Sequence, residues 1–505
     1  MTKPKTARLP LNWFHPCTFL AVVGLALATR APAQPAGTEL RNNATQKASE
    51  WPRRAPAPQA CAACIRAHME FLASDALRGR GSGTSDELVA ATYIAAQLRQ
   101  YGIRPAGDDG GYLQRAAIRR RKLTGSPQLR FTPPGEGVPA PEVTWNHGQE
   151  MLVLYLSQAE FSGPLRKIDL EAGAPAAQAG EVVLLTGKNA DQLQGLAFRL
   201  LSHDGAAAVL LAETPRSRAH WQETGSQIPE IPNQLEGPQS PPGGRFNLLA
   251  LSHNAAATLG KLPNGTQVRF AAPSAPPEKA YTWNVVGMLR GSTPALRRGA
   301  ILFSAHLDHL GTGPPVKGDD IYNGADDDAS GTTAVLELAR VLGAGPRPRR
   351  TVVFAWFGSE EAGGLGSTYF REHPPVQLNE IAANLEFEMI GRADPAVAPH
   401  TLWLTGWERS NLGPELAAHG AHLVGDPHPD QHFFNRSDNY VLAKKGVVAQ
   451  TVSSYGLHPD YHQPSDDVAH IDFAHMQDAI GSLLQPVQWL VNNGFRPQWT
   501  KGGQP

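Results

Sequence analysis

His306-Leu307-Asp308, Gly324-Ala325-Asp326-Asp327-Asp328-Ala329-Ser330-Gly331 and Gly358-Ser359-Glu360-Glu361 follow one another in a single stretch of the chain. The apolar run Ala300–Ala305 leads into the first cluster and reads as a buried strand. After the acidic loop, Val335, Leu338, Ala339 and Leu342 recur at helical spacing. A second apolar run, Thr351–Phe357, delivers the glutamate pair. Strand, acidic loop, helix, strand and acidic pair describe a right-handed crossover unit. In open α/β sheets, ligand-binding groups gather beyond the carboxyl ends of the strands, where these polar clusters fall. The expected fold is therefore α/β, with a mixed, mostly parallel central sheet flanked by helices.

Outward from this unit, Trp283–Gly287, Ile381–Phe387, Thr401–Leu404 and Val447–Val452 are further strand candidates, and 473–491 a closing helix. Upstream, Leu88, Ala91, Ile94, Ala95 and Leu98 predict a helix over 86–101, and Ile65, Met69, Phe71 and Leu72 a shorter one before it. The intervening Arg78-Gly79-Arg80-Gly81-Ser82-Gly83 lacks the Lys-Ser/Thr ending of a phosphate loop and follows no strand, so it reads as a flexible turn. Between 135 and 275 the pattern changes to short β-like runs separated by Pro and Gly. One helical segment lies at 191–202, and a Pro- and Gln-rich loop at 214–245. This is expected to be a separate, smaller β-rich domain. Its scattered His203, His220 and His253 read as surface or hydrogen-bonded histidines.

The 505 residues accommodate two or three domains, and 41% hydrophobic with 18% charged residues suits a globular protein. A net charge of −1 speaks against nucleic-acid binding and against a polybasic membrane surface. Lys3, Lys5 and Arg8, the apolar 19–28 and Ala31-Pro32-Ala33 make residues 1–33 a secretory signal, so the mature protein is expected to be secreted or periplasmic, without stable membrane insertion. Residues 34–60 read as a linker, 61–134 as the N-terminal part of the main domain and 276–498 as its remainder. Cys17 leaves with the signal, and Cys61 and Cys64 are expected to pair as a local disulfide in an exported protein.

Histidines and carboxylates placed after several strands are what a zinc-type site needs. An acidic loop can supply a carboxylate that bridges two ions. Glu360 and Glu361, on opposite sides of an extended backbone, could divide metal binding from proton transfer. The ordered set His306-x-Asp308, Gly324–Gly331, Glu360-Glu361, Glu388 and Tyr461-His462 resembles the co-catalytic dizinc aminopeptidases, the metallopeptidase family that includes glutamate carboxypeptidase II. Phe71–Asp75 with Gly79-Arg80-Gly81 is similar to the family's usual start, and 135–275 occupies the place of an inserted protease-associated domain. The resemblance implies two Zn2+ per chain. His306 and Glu388 would hold one, Glu361 and His462 the other, and Asp327 would bridge them. Asp308 would orient His306, Tyr461 would stabilise the oxyanion, and Glu360 would be the general base toward a zinc-bridging water. The Asp327–Asp328 peptide bond is often cis in the family. Aspartate is common where this chain has Glu388, which leaves Glu386 as a competing ligand, and Arg392 and Asp438 lie near the expected substrate-amine pocket.

The implied activity is that of a secreted zinc exopeptidase, an aminopeptidase acting on peptides. A dizinc carboxypeptidase or dipeptidase is the alternative enzyme, and a receptor-like protein retaining the fold is the non-enzymatic one. A serine hydrolase is disfavoured by the absence of Gly-x-Ser-x-Gly, and His-Glu-x-x-His is absent as well.

Overall fold

The computed structural model describes residues 59–505 other than 135–139, 174–175, 215–216, 219–220, 223–224, 230 and 238–245. The signal at 1–33, the linker up to 58 and His220 lie outside these residues. From edge to edge, the ten-stranded central sheet runs Leu423–Gly425, Leu402–Leu404, Val448–Ser453, Ile381–Phe387, Ala300–His306, Val352–Phe357, Glu278–Leu289, Leu113–Arg120 and Gln234–Leu235. Arg104–Pro105 pairs beside Glu278–Leu289. The four strands from Val448–Ser453 to Val352–Phe357 are mutually parallel. Glu278–Leu289 and Leu113–Arg120 add antiparallel on one side, and Leu402–Leu404 on the other. The sheet is thus mixed, and its parallel part is its centre.

Every residue of Ala300–His306, Val352–Phe357 and Ile381–Phe387 is buried, as expected for parallel strands covered on both faces. On one face lies helix Gly331–Ala344, whose Val335, Leu338, Ala339 and Leu342 are all buried, packed with helices Ala62–Leu72 and Phe473–Asn492. The other face is covered through Phe370, Leu442 and Ala443 of helices Leu365–Glu372 and Asn439–Ala443. Helix Ser85–Gln100 starts at Thr84, whose hydroxyl accepts from the Asp86 and Glu87 amides and satisfies donors that the first turn leaves open. Cys61 and Cys64 form a disulfide at the head of the first helix. Among the described residues, no helix is long and apolar enough to cross a membrane.

A second, eight-stranded sheet has the order Val143–Asn146, Gln128–Phe131, Gln267–Ala271, Glu160–Asp169, Val182–Thr186, Ala208–Ala212, Asn247–Leu251, Met151–Leu156. It begins ahead of residue 135, because Gln128–Phe131 pairs with Gln267–Ala271. Besides Ala190–Ser202 this region contains a helix absent from the sequence reading, His253–Lys261, capped by Ser252. From the long loop, Gln234 and Leu235 reach back to pair with Arg119 and Ile118 of the central sheet.

Candidate metal centre

The centre is built on the turn that leads from strand Asp319–Tyr322 into helix Gly331–Ala344. Gly324 takes a left-handed conformation, φ +59°, and a Cβ there would stand 2.4 Å from the His309 ring. Of the three aspartates that follow, two fix backbone. Asp326 accepts from the Gly391 amide at 2.7 Å and faces His458 Nε2 at 2.9 Å. Asp328 accepts from the amides of His306, Gly331 and Met389 at 3.2, 2.9 and 3.1 Å. The Asp327 amide donates to Asp466 at 3.0 Å, the Asp327–Asp328 peptide bond is cis, and the Asp327 carboxylate is left facing the histidines.

His306 Nε2 stands 3.1 Å from Asp327 Oδ1. His462 Nε2 stands 3.3 Å from both Asp327 Oδ2 and Glu361 Oε2. His309 Nδ1 lies 2.7 Å from Glu361 Oε1 and 3.9 Å from Asp327 Oδ2. Donor atoms of His306, Asp327 and Glu388 lie within 4.8 Å of one another, as do those of His309, Asp327 and Glu361. Both ring nitrogens of His306 and of His309, together with His462 Nε2 and Glu361 Oε1, are buried without a hydrogen bond. The short approaches therefore do not have hydrogen-bond geometry: the nitrogens and oxygens converge without pointing at each other. Buried polar atoms are ordinarily satisfied, and donors on a tetrahedral zinc stand about 3.3 Å apart. The donor set, imidazole nitrogens with carboxylate oxygens, fits a borderline divalent ion such as zinc.

Electrostatics agree. Burial first, then Asp438 and Glu361, push the Glu360 carboxyl well above its usual range, with His306 opposing. Burial and neighbouring Asp327 raise Glu388 to about 7. Burial and Asp327 would raise Glu361 too, but His309 and His462 hold it at about 2. Buried carboxylates of one sign need cations in their midst.

The support for these groups comes from the loop that reads as a flexible turn. Arg80 is 1% exposed. Its guanidinium donates to the carbonyls of Leu72 (2.5 Å), Leu307 (2.9 Å), Asn323 (2.7 Å) and Gly324 (2.9 Å). It thereby ties the end of the His306 strand to the start of the acidic turn. Gly79 could not be larger, since a Cβ would meet the Tyr322 carbonyl at 2.2 Å. Ser82 donates to Asp308 Oδ2 at 2.5 Å, and Asp308 Oδ1 accepts from the Glu360 amide at 2.9 Å. Asp308 Oδ1 also lies 3.7 Å from His306 Nδ1. The loop is a brace, and the flexible-turn reading is corrected.

The structure brings together His306, Asp327, Glu360, Glu361, Glu388 and His462, with Asp308 behind them. Glu386 is not a competitor: its oxygens accept from Ser437 Oγ, the Asn439 amide and Thr451 Oγ1. Arg392 is held by Asp460 and Asp466 at 2.7 and 3.3 Å, and Asp438 is buried beside Ser367 and Glu386. The glutamate pair sits in a turn instead of an extended segment, because Ser359 adopts φ +53° and the amides of Gly363 and Gly364 return to the Glu360 carbonyl. Both carboxylates consequently face His306. His309 is the residue that the motif reading missed. It follows directly on His306-x-Asp308, so its signal was its position alone.

Asp327, Glu360, Glu361 and Glu388 line a cleft together with Met389, Trp403, Phe433, Arg436, Tyr455 and Tyr461. Tyr461 stacks on His462 with ring centroids 3.8 Å apart, and burial raises its phenol pKa.

An α/β sheet with imidazole and carboxylate donors gathered at its strand ends offers a candidate site for a divalent metal ion. Residues 284–485 match the model of peptidase family M28. The chain is 39% identical over 115 residues to an aminopeptidase of Pseudomonas aeruginosa, covering 23% of this chain and 19% of that protein. Leucine aminopeptidase 2 of Trichophyton rubrum is 27% identical over 222 residues (39% and 42%), and aminopeptidase YwaD of Bacillus subtilis 26% over 235 (44% and 49%). The chain spans less than half the length of each of these relatives. In fold it is similar to an aminopeptidase from Aneurinibacillus sp. strain AM-1, with a TM-score of 0.54, 17% identity, and coverage of 86% of this chain and 95% of that one.

Proposed function

We propose that the chain is a secreted, zinc-dependent exopeptidase that removes N-terminal residues from peptides, with two zinc ions per chain. The observation that carries this reading is the sharing of Asp327 between His306 and Glu388 on one side and Glu361 and His462 on the other, in a cleft that carboxylates and aromatic side chains line together. Bound there, zinc supplies Lewis-acid polarisation of the scissile carbonyl and activation of water. Glu360, whose pKa burial raises, takes a proton from the attacking water and passes it to the leaving amine. Asp308 sets the orientation of the His306 ring. Tyr461, kept protonated, donates to the oxygen on which charge develops. The aromatic residues of the cleft receive the side chain of the N-terminal residue. The carboxylates favour its ammonium group, against one base, Arg436, among the described lining residues.

The peptidase domain would comprise 276–498 and the chain from residue 61 through strand Leu113–Arg120, the eight-stranded sheet from Gln128 to Ala271 would be an inserted protease-associated-like domain, and 1–33 the export signal. The relatives named aminopeptidase support the activity. Hydrolysis of a panel of free and N-acetylated peptides tests it. Cleavage confined to free N-termini is expected. Cleavage that tolerates the block moves the assignment to a carboxypeptidase, and no cleavage with zinc supplied moves it to a binding protein.

A further inference from the structure

The two cation positions are unlike each other, and His309 makes the difference. Its imidazole is fully buried, and neither nitrogen has a hydrogen bond. Elsewhere in the molecule the buried His68 finds a partner for each nitrogen, and the buried His475 finds one for Nε2. Glu361 stands between two imidazoles, with Oε1 2.7 Å from His309 Nδ1 and Oε2 3.3 Å from His462 Nε2. The two rings meet edge to face, 5.7 Å apart. Gly324 leaves room for the His309 ring, since any Cβ would collide with it. This placement is not that of a residue filling space.

We propose that His309 is an additional protein donor at the Glu361–His462 position. That position then has four protein donors, His309, Asp327, Glu361 and His462, whereas the other has three, His306, Asp327 and Glu388. Sites closed by four protein donors hold zinc as structure, and sites with three keep a place open for water or substrate. The His309 position is therefore the tighter, slowly exchanging one, and the His306 position the labile one that substrate reaches. The inference rests on the two-zinc reading above and adds to it an order of occupancy and a division of labour.

Two measurements on the full chain test it without reading activity. With two equivalents of cobalt(II), proton NMR should show three hyperfine-shifted, exchangeable imidazole N–H resonances, from His306, His309 and His462. Two resonances overturn the proposal, and failure to bind two cobalt ions overturns the two-ion reading with it. Second, titration of the zinc-loaded protein with a chelator should remove the ions in two separate steps. In His309→Asn, the later step should move toward the earlier by more than about 100-fold in chelator concentration, beyond what the loss of a group that only orients a ligand brings. Unchanged steps in a folded variant overturn the proposal. If the variant does not fold, the cobalt spectrum of the unaltered chain decides.

Discussion

Two groups of buried histidines in this molecule obey opposite rules. His68, on the first helix, has Tyr93 Oη 2.8 Å from Nδ1 and Tyr101 Oη 3.1 Å from Nε2, and burial pushes its pKa down to about 4. It is a neutral imidazole with neutral partners, and its work is packing. His306 and His309 are as deeply buried, yet their nitrogens face carboxylates at short distance without hydrogen bonds. Burial alone would lower the His306 pKa, but Asp308 and Asp327 raise it well above the ordinary value. Burial therefore does not separate these histidines; their partners do, phenol hydroxyls for His68 and converging carboxylates for His306 and His309.

The sharpest break of this comparison is Asp327→Asn, which removes the carboxylate common to both positions. It should abolish peptide hydrolysis and leave less than one zinc per chain by elemental analysis. Next comes Glu360→Gln, in which folding and zinc content stay unchanged while kcat falls by about 10²- to 10⁴-fold, the usual contribution of a general base. Retention of full activity would remove Glu360 from its role. Arg80→Met leaves four carbonyls without their donor, and zinc retention against a chelator should weaken by about 10- to 100-fold. An unaltered titration would show that the brace is not needed.

On the other side of the comparison, His68→Gln should leave zinc and activity untouched. The folded-state pKa of His68 is about 4 against about 6.5 unfolded, so the unfolded chain binds the proton first. The neutral ring contributes fully above pH 6.5, and its contribution is lost as pH falls toward 4, by up to about 3 kcal/mol. Denaturant unfolding between pH 7 and 4 should show a shallower decline in the variant than in the wild type.

The α/β sheet and the candidate donor set were legible because each group follows a strand with a strong apolar pattern, and because their order resembles a family in which that order is specific. His309 was not, since a motif says which positions recur and not which neighbours turn inward. Arg80 was hidden for a different reason. Its partners are backbone carbonyls contributed by Leu72, Leu307, Asn323 and Gly324, distant in sequence, and carbonyls leave no mark in a sequence. The orientation of Glu361 depended on Ser359 taking a left-handed conformation, which a non-glycine residue does not announce. Helix His253–Lys261 was overlooked beside the apolar strand that precedes it, although Ser252 and the following alanines carried a cap and a helix former.

The central claim is that the unsatisfied histidines and carboxylates are ligands, and zinc content measures it most directly. The purified chain, dialysed against metal-free buffer and analysed for metals, is expected to hold two zinc ions, and to lose peptide hydrolysis as a chelator removes them. A folded, hydrolytically active chain that holds no zinc and is indifferent to the chelator would contradict the account.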